Sequence, residues 1–239
     1  MIGRAFHRLL RKIAVTIGKI LAVLAGFYII LTLLFMVVPV PFSSYMAQRK
    51  IESWLQRKDY SIEYDWVNLK QISWQMQMAV IAAEDQKFEQ HFGFDFQSIE
   101  KALQRNEKSK RKPRGASTIS QQTVKNLYLW HEASWTRKVI EVPLTLLVEN
   151  IWDKSRILEV YLNIAEFGYG IFGVEAAAQY YFHKSANLLT LQEASLLAAS
   201  LPNPHIFKVK SPNAAMRTRQ HWIMRQVQNL GGAAYLDKL

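Results

Sequence analysis

The sequence of 239 residues predicts a mainly α-helical domain behind a single N-terminal transmembrane helix. A long uncharged apolar run lies near the N-terminus. After residue 70, apolar residues recur at helical spacing almost without interruption, and residues 60–66 alternate with the period of two that is typical of a strand. Half of the chain is apolar, so a substantial core can form. The lack of cysteine excludes disulfides and thiolate metal sites.

The N-terminal segment is predicted to be an uncleaved membrane anchor. Residues 20–48 carry no charge, and residues 20–38 are almost wholly apolar, which is about the 20 residues needed to cross a bilayer. The run exceeds the roughly 7–15 apolar residues of a secretory signal. The alternative is a buried core helix. We place the boundary between anchor and domain after residue 42, so that the domain occupies residues 43–239.

Basic residues are concentrated in two places. The net charge is +11, and residues 1–50 hold seven Lys or Arg and no acid. Because positive flanks stay in the cytoplasm, the domain is predicted to lie on the periplasmic side of the inner membrane. Residues 105–114 hold six bases against one acid and are predicted to form a loop, either a solvated turn or a lid. Since the rest of the chain is nearly neutral, we expect no nucleic-acid partner.

Helical periodicity and end signals predict the elements of the domain. A capping box of Thr190 and Glu193 marks the start of a helix that ends before Pro202. Another helix is predicted after Ser117. The remaining predicted helices span residues 43–57, 71–91, 95–106, 134–153, 155–163, 174–182 and 213–230.

Two acidic residues, Glu84 and Asp85, interrupt the apolar run of residues 76–88. Steps of three and four residues place both carboxylates on or beside the helix stripe that faces the interior. A carboxylate removed from water is costly unless it is paired or used in chemistry. The pair is therefore a candidate for general-base catalysis. The alternative is a helix edge where acids meet solvent.

Residues 115–126 are rich in hydrogen-bonding groups at a predicted helix start. Ser117 or Thr118 can cap the helix and leave N–H groups to receive an anion. Gln121 and Lys125 lie four residues apart, so an amide and an ammonium project from one face. Such a cluster suits phosphate oxygens and sugar hydroxyls. A capped surface helix is the alternative.

A third cluster pairs cations with an acid. Arg137 and Lys138 lie four and three residues before Glu141, and by itself this spacing favours exposed salt bridges. The polar residues of the stretch 154–173 are predicted to be mostly scaffold.

Four ordered motifs fall between residues 71 and 204. They are Glu84-Asp85-x-x-Phe88-x-x-His91-x-Gly93-x-Asp95, Gly115-x-Ser-Thr-Ile-x-Gln-Gln-x-x-Lys-Asn126, Arg137-Lys-x-x-Glu141 and Ile157-Leu-Glu-x-Tyr-Leu-Asn163. Together they resemble the peptidoglycan glycosyltransferases (glycosyltransferase family 51), above all the monofunctional biosynthetic transglycosylases, and also the polymerase domain of class A penicillin-binding proteins. No transpeptidase region follows Leu239, which favours the monofunctional type.

The resemblance implies a lysozyme-like α fold with an extra membrane-dipping lobe. It also implies a reaction that joins lipid II units into β-1,4 glycan strands and releases undecaprenyl diphosphate with inversion. By motif position, Glu84 is the expected general base towards the acceptor 4-hydroxyl, and Glu141 the second acid, near the donor diphosphate. The residues expected to bind substrate are Asp85, Ser117, Thr118, Gln121, Gln122, Lys125, Asn126, Arg137 and Lys138.

The chemistry of the expected reaction agrees with this set of residues. A diphosphate is a good leaving group that needs cations and donors more than a proton, whereas a hydrolase must protonate a poor leaving group. Mg²⁺ or Mn²⁺ is a candidate cofactor that would bridge an acid and the diphosphate; no organic cofactor is expected. The expected partners are lipid II, the nascent glycan, inner-membrane lipid and proteins of cell-wall synthesis or division.

One position departs from the family pattern. Where the family often has an Arg before Ser-aromatic, this chain has Ala133 before Ser134 and Trp135. That Arg is associated with the donor diphosphate, so its role cannot be transferred. Two alternatives to the polymerase stay open at this point: a lytic enzyme of lysozyme-like fold, and a non-catalytic wall-assembly scaffold.

Overall fold

The computed structural model describes residues 2–57, 60–107, 116–132 and 134–239. It divides into two compact units, Met1–Val38 and Pro39–Leu239. Residues 108–114 of the predicted basic loop, together with Gly115 and Ala133, lie outside the described residues.

The first unit consists chiefly of helix α1, Ile2–Phe35. Its segment Leu9–Phe35 is long and apolar enough to cross a membrane. Most of its large apolar side chains are exposed, as Val23 is at 72%. The alternative of a buried core helix is therefore wrong, and a helix suited to lipid is confirmed.

The second unit is mostly helical, as predicted. The capping box of Thr190 and Glu193 is present at the start of one of its helices. The helices are α2 (Ser44–Leu55), α3 (Trp74–Glu84), α4 (Phe96–Glu107), α5 (Ile119–Tyr128), α6 (Trp135–Ile151), α7 (Lys154–Ile164), α8 (Val174–Phe182), α9 (Leu191–Ser200) and α10 (Ala214–Asn229), with short 3₁₀ turns at Leu69–Gln71, Ala186–Leu188 and Gly232–Lys238.

Helix α3 lies in the centre of the unit. It packs against α9 and α10, while α5 packs against α6 and α7. Every side chain from Met76 to Ala82 is buried, because a helix that is apolar all round needs neighbours on all sides. The packing of the core therefore fixes the position of α3, and with it the position of Glu84 at its C-terminal end.

Helix α3 ends at Glu84, seven residues before the predicted end at residue 91. Asp85 has φ −160° and ψ 76°, outside the helical region. Its carboxylate accepts hydrogen bonds from the backbone N–H of Ile119 and from His91, both at 3.0 Å. The prediction that Asp85 and Phe88 share a helical stripe is thus wrong, because a contact distant in sequence draws Asp85 out of the helix.

A small three-stranded sheet borders the helices. Strand β1 (Glu63–Tyr64) pairs in parallel with β3 (Ile171–Phe172), and β3 pairs antiparallel with β2 (Glu166–Gly168). The predicted strand at 60–66 is therefore present over two residues, and the other two strands were missed. Gly173 follows them at φ +82°, where an added Cβ would lie 2.6 Å from the Asn163 carbonyl oxygen, so this position excludes other residues.

Candidate active site

Glu84 is held at the C-terminal end of α3 by donors from two other helices. Its Oε2 accepts from the Gln122 amide at 3.0 Å, and its Oε1 accepts from the Arg219 guanidinium at 3.1 Å. The side chain is 14% exposed, so it is neither sealed in the core nor an acid on a solvated helix edge. Glu84 therefore combines a fixed orientation with access to a ligand.

Asp85 connects the same site to the start of α5. Thr118 is the N-cap: its hydroxyl accepts from the Gln121 N–H at 3.2 Å and donates to the Gly93 carbonyl at 2.7 Å. Because the Ile119 N–H donates to Asp85, an anion at this helix start is already supplied by the protein itself. Ser117, the other proposed cap, is exposed beside it.

Glu141, on α6, is the centre of a second cluster. It is 2% exposed, its Oε2 accepts from Arg137 at 2.5 Å and its Oε1 accepts from both Lys138 and Gln121. Exposed salt bridges, the interpretation favoured by spacing alone, are therefore wrong for this acid. The buried Glu141 carboxylate fixes the positions of the Arg137 and Lys138 cations, because without these two partners its charge would be unpaired away from water.

Lys125 lies within electrostatic reach of both acids. Burial, followed by the nearby Arg137, lowers the pKa of its ammonium to about 8, while Glu141 and Glu84 oppose that shift. One residue further along α5, the side-chain oxygen of Asn126 is buried and has no hydrogen-bond partner among the described residues. Both features indicate groups that are prepared for a polar ligand.

Consecutive residues of α5 bridge the two acids. Gln121 donates to Glu141 at 3.3 Å, and Gln122 donates to Glu84 at 3.0 Å. One helix thus sets the positions of a candidate base and of a cation cluster. The segments that carry Glu84 and Glu141 are distant in sequence, and α5 brings them into one site.

An open cleft of about 760 Å³ borders the Glu84 end of this arrangement. Predicted residues Glu84, Asp85, Ser117 and Thr118 line it. Glu141 and its cations are not among its described lining residues. The predicted set therefore forms two neighbouring parts, a cleft with the candidate base and a cationic cluster, joined through α5.

Sequence reasoning missed several residues of the cleft. Arg219 and Trp222 come from α10, and Lys101 and Arg105 come from α4. Arg219 is one of several basic residues in its helix, and no local pattern distinguishes the one that pairs with Glu84. Only the packing of α10 on α3 identifies it.

Comparison with known proteins gives this geometry a context. The family model described as transglycosylase matches residues 49–228. The chain belongs to the transglycosylase family. It is also 57% identical over 93% of its length to a biosynthetic peptidoglycan transglycosylase of Mannheimia succiniciproducens, covering 91% of that protein. The proteins of the same name from Haemophilus influenzae (59% identity; 87% of this chain, 85% of that one) and Escherichia coli O139:H28 (57%; 92% and 91%) are similar.

Membership of the transglycosylase family confirms the expected enzyme class and its place in peptidoglycan synthesis, where glycan strands are polymerised. The mostly helical structure agrees with the expected fold. All four sequence motifs fall inside the matched region.

The last motif of this transglycosylase is mostly scaffold, as predicted. The Asn163 side chain bonds to both the N–H and the carbonyl of Val67 at 2.9 Å, and Glu159 accepts from the Leu69 N–H at 3.0 Å. Glu166, just beyond the motif, accepts from Tyr45 and Tyr60 in a buried cluster. Tyr161 differs, because its hydroxyl donates to Gln122 at 3.1 Å.

Proposed function

We propose that Glu84 accepts the proton of the lipid II 4-hydroxyl as that oxygen attacks C1 of the lipid-linked glycan. The new glycosidic bond forms while the C1–oxygen bond to undecaprenyl diphosphate breaks, with inversion at C1. The proton ends on Glu84, and the electron pair of the broken bond leaves with the diphosphate. The guanidinium of Arg219, 3.1 Å from the carboxylate, fixes the orientation of Glu84 in the cleft.

The cationic cluster is the proposed site of the donor diphosphate. Arg137 and Lys138 are held by the buried Glu141, and Lys125 adds a third cation near both acids. Fixed cations stabilise the charge that develops on a leaving diphosphate without having to reorganise during the reaction. In this proposal Glu141 acts by positioning cations.

The bridge formed by Gln121 and Gln122 carries the proposal. Because neighbouring residues on α5 contact the two acids, the acceptor hydroxyl and the donor phosphates can be presented to each other at a fixed separation. Such positioning is a large part of catalysis in a two-substrate reaction.

Glu84→Gln is expected to abolish polymer formation from purified lipid II, a loss of at least about 1,000-fold, because an amide cannot accept the proton. Polymer length and rate are measured on gels of labelled product, and circular dichroism checks that the variant is folded. Glu63→Gln, at an exposed position of β1, is the control for the same loss of charge. Full activity of Glu84→Gln would refute the role as base.

Incubation with isolated cell wall tests the lytic alternative. The relatives' names describe biosynthetic enzymes, and we expect no soluble muropeptides from wild-type protein. Release of such fragments would favour the lytic reaction.

We also propose the location and partners of this enzyme. The basic residues before the apolar helix favour a cytoplasmic N-terminus, which puts the catalytic unit in the periplasm beside the inner membrane. Lipid II, the nascent glycan and inner-membrane lipid are the proposed ligands, and proteins of wall synthesis or division are proposed partners. Protease accessibility of spheroplasts tests the orientation.

Mg²⁺ or Mn²⁺, if the reaction uses one, is proposed to arrive bound to the substrate diphosphate. Within the described parts of the chain, no group of three His, Asp or Glu could hold a metal ion. We therefore assign no protein ligand to such an ion. Polymer formation with EDTA and with each added cation tests the requirement.

A further inference from the structure

The hydroxyl of Tyr161 meets the amide that holds the proposed base. Tyr161, on α7, is 1% exposed, and its hydroxyl lies 3.1 Å from the Gln122 side-chain oxygen. The nitrogen end of the same amide lies 3.0 Å from Glu84. The three side chains therefore form one chain of hydrogen bonds that runs from the core to the cleft.

The donor and acceptor in each of these hydrogen bonds follow from the Glu84 carboxylate at one end of the chain. An ionised carboxylate only accepts, so the Gln122 amide must turn its NH₂ group towards Glu84 and its oxygen away. That oxygen belongs to a half-buried side chain, where an acceptor without a donor is still costly. The Tyr161 hydroxyl supplies that donor.

The hydroxyl keeps its proton at any physiological pH. Burial, and then the negative charge of Glu84, raise the pKa of Tyr161 well above its ordinary value. Since a protonated hydroxyl can always donate, the amide orientation is favoured throughout the working range of the enzyme.

The chain matters most when Glu84 changes charge. A protonated Glu84 could donate to the amide oxygen and allow Gln122 to turn over. Tyr161 opposes that rotation because it already donates to this oxygen. Arg219 holds the other carboxylate oxygen at 3.1 Å, so loss of the Gln122 bond would leave Glu84 fixed from one side.

We propose that Tyr161 is a positioning residue which, through Gln122, orients Glu84 for each round of transfer. This inference rests on the proposed role of Glu84 as the base. Tyr161 itself touches no reacting atom. It acts through Gln122, so its effect requires the Gln122 amide.

Tyr161→Phe removes the hydroxyl and keeps the ring. We expect kcat to fall about 10-fold, the value of one hydrogen bond, with KM changed less than about twofold. Full-length protein in detergent is assayed with fluorescent lipid II between pH 5 and 9.

The matched control is Tyr181→Phe, which likewise removes a tyrosine hydroxyl and keeps the ring. The Tyr181 hydroxyl is partly buried and donates to the main-chain carbonyl of Phe167 at 3.3 Å. We expect this variant to keep the wild-type kcat and pH profile. Thermal unfolding of both variants shows whether either loses structure.

Gln122→Met tests the path of the effect. This variant keeps the side-chain length but breaks the chain, so we expect Tyr161→Phe to cause no further loss in its background. An additive loss in the double variant would overturn the inference. So would a Tyr161→Phe variant in which KM changes and kcat does not.

Wild type and Glu84→Gln are run in the same series. If wild type makes no polymer, or Glu84→Gln retains activity, the proposed function fails. If these two behave as expected and Tyr161→Phe has the wild-type kcat, the positioning role alone fails.

Discussion

At the scale of single residues, Lys125 is a cation whose charge depends strongly on the folded environment. It is a lysine on a short helix, and its sequence position shows only that it can share a face with Gln121. Burial of its side chain, followed by the nearby Arg137, lowers the pKa of its ammonium to about 8, although Glu141 and Glu84 oppose the shift. An ammonium with such a pKa is charged at neutral pH and loses its charge within the range of an ordinary assay.

We predict that kcat/KM falls as pH rises through about 8. The amine is protonated below its pKa and neutral above it, so the diphosphate loses one cation as pH rises. Lys125→Arg keeps its charge at high pH and should move this basic limb upward by at least about one pH unit. The profile between pH 6 and 10 measures the effect.

Lys154→Arg is the control for this prediction, because Lys154 pairs with Glu149 at 2.7 Å, apart from the cation cluster. Its basic limb should match wild type. If the basic limb of Lys125→Arg also matched wild type, a group other than Lys125 would be responsible for the fall of kcat/KM at high pH.

At the scale of elements, the start of α5 depends on a residue from another helix. Asp85 accepts the Ile119 N–H and faces the positive end of the α5 dipole. The same carboxylate contacts His91 at 3.0 Å. Asp85 was expected to bind substrate, and the structure gives it a second task of fixing the helix that carries Gln121 and Gln122.

Asp85→Ala is expected to lower the free energy of unfolding by about 1–3 kcal/mol, since a buried N–H and a helix end lose their acceptor. Asp85→Asn keeps an oxygen for the Ile119 N–H and should lose less. Thermal and chemical unfolding in detergent measure both variants.

Asp153→Ala removes another helix-start acid, which accepts from the Arg156 N–H at 2.6 Å at the start of α7. It should cost about 1 kcal/mol and leave polymerisation unchanged. Wild-type stability of Asp85→Ala would contradict the structural role assigned to Asp85.

Sequence periodicity predicted the helices because most of them bury apolar faces at regular spacing. Their ends were less predictable. The end of α3 depends on Asp85 meeting Ile119, a contact across 34 residues, which no local signal encodes. The same limit explains Arg219, which reaches Glu84 across 135 residues. The ordered motifs identified the acidic and amide residues. The hydrogen bonds that connect Glu84 and Glu141 through α5 follow only from the three-dimensional structure.

At the scale of the whole molecule, the catalytic unit exposes large apolar side chains on several helices. Trp54 on α2 is 78% exposed, and Trp135 and Val139 on α6 are 88% and 68% exposed. The sequence of this unit also holds five aromatic residues that could pack in the core or meet lipid headgroups, namely Phe92, Phe94, Phe96, Trp130 and Trp135. Most of them are exposed, which excludes core packing for those residues and favours a lipid contact.

We predict that Trp135→Ser with Val139→Ser weakens binding of the unit 39–239 to anionic vesicles by about 10-fold or more, because less apolar area enters the bilayer surface. Vesicle flotation measures the bound fraction. Leu188→Ser with Ile206→Ser is the matched control, as these residues are 62% and 65% exposed on other segments. Equal losses of vesicle binding in the two double variants would show that the membrane contact does not depend on Trp135 and Val139 in particular.

The adjacency of Gln121 and Gln122 has a consequence for how this enzyme can change. Successive side chains on a helix point about 100° apart, so a small turn of α5 about its own axis displaces both amides in the same sense. Any substitution that rotates α5 would therefore disturb the contacts to Glu84 and to Glu141 together. Under the roles proposed for these two acids, a change of this helix that alters the acceptor half of the reaction also alters the donor half.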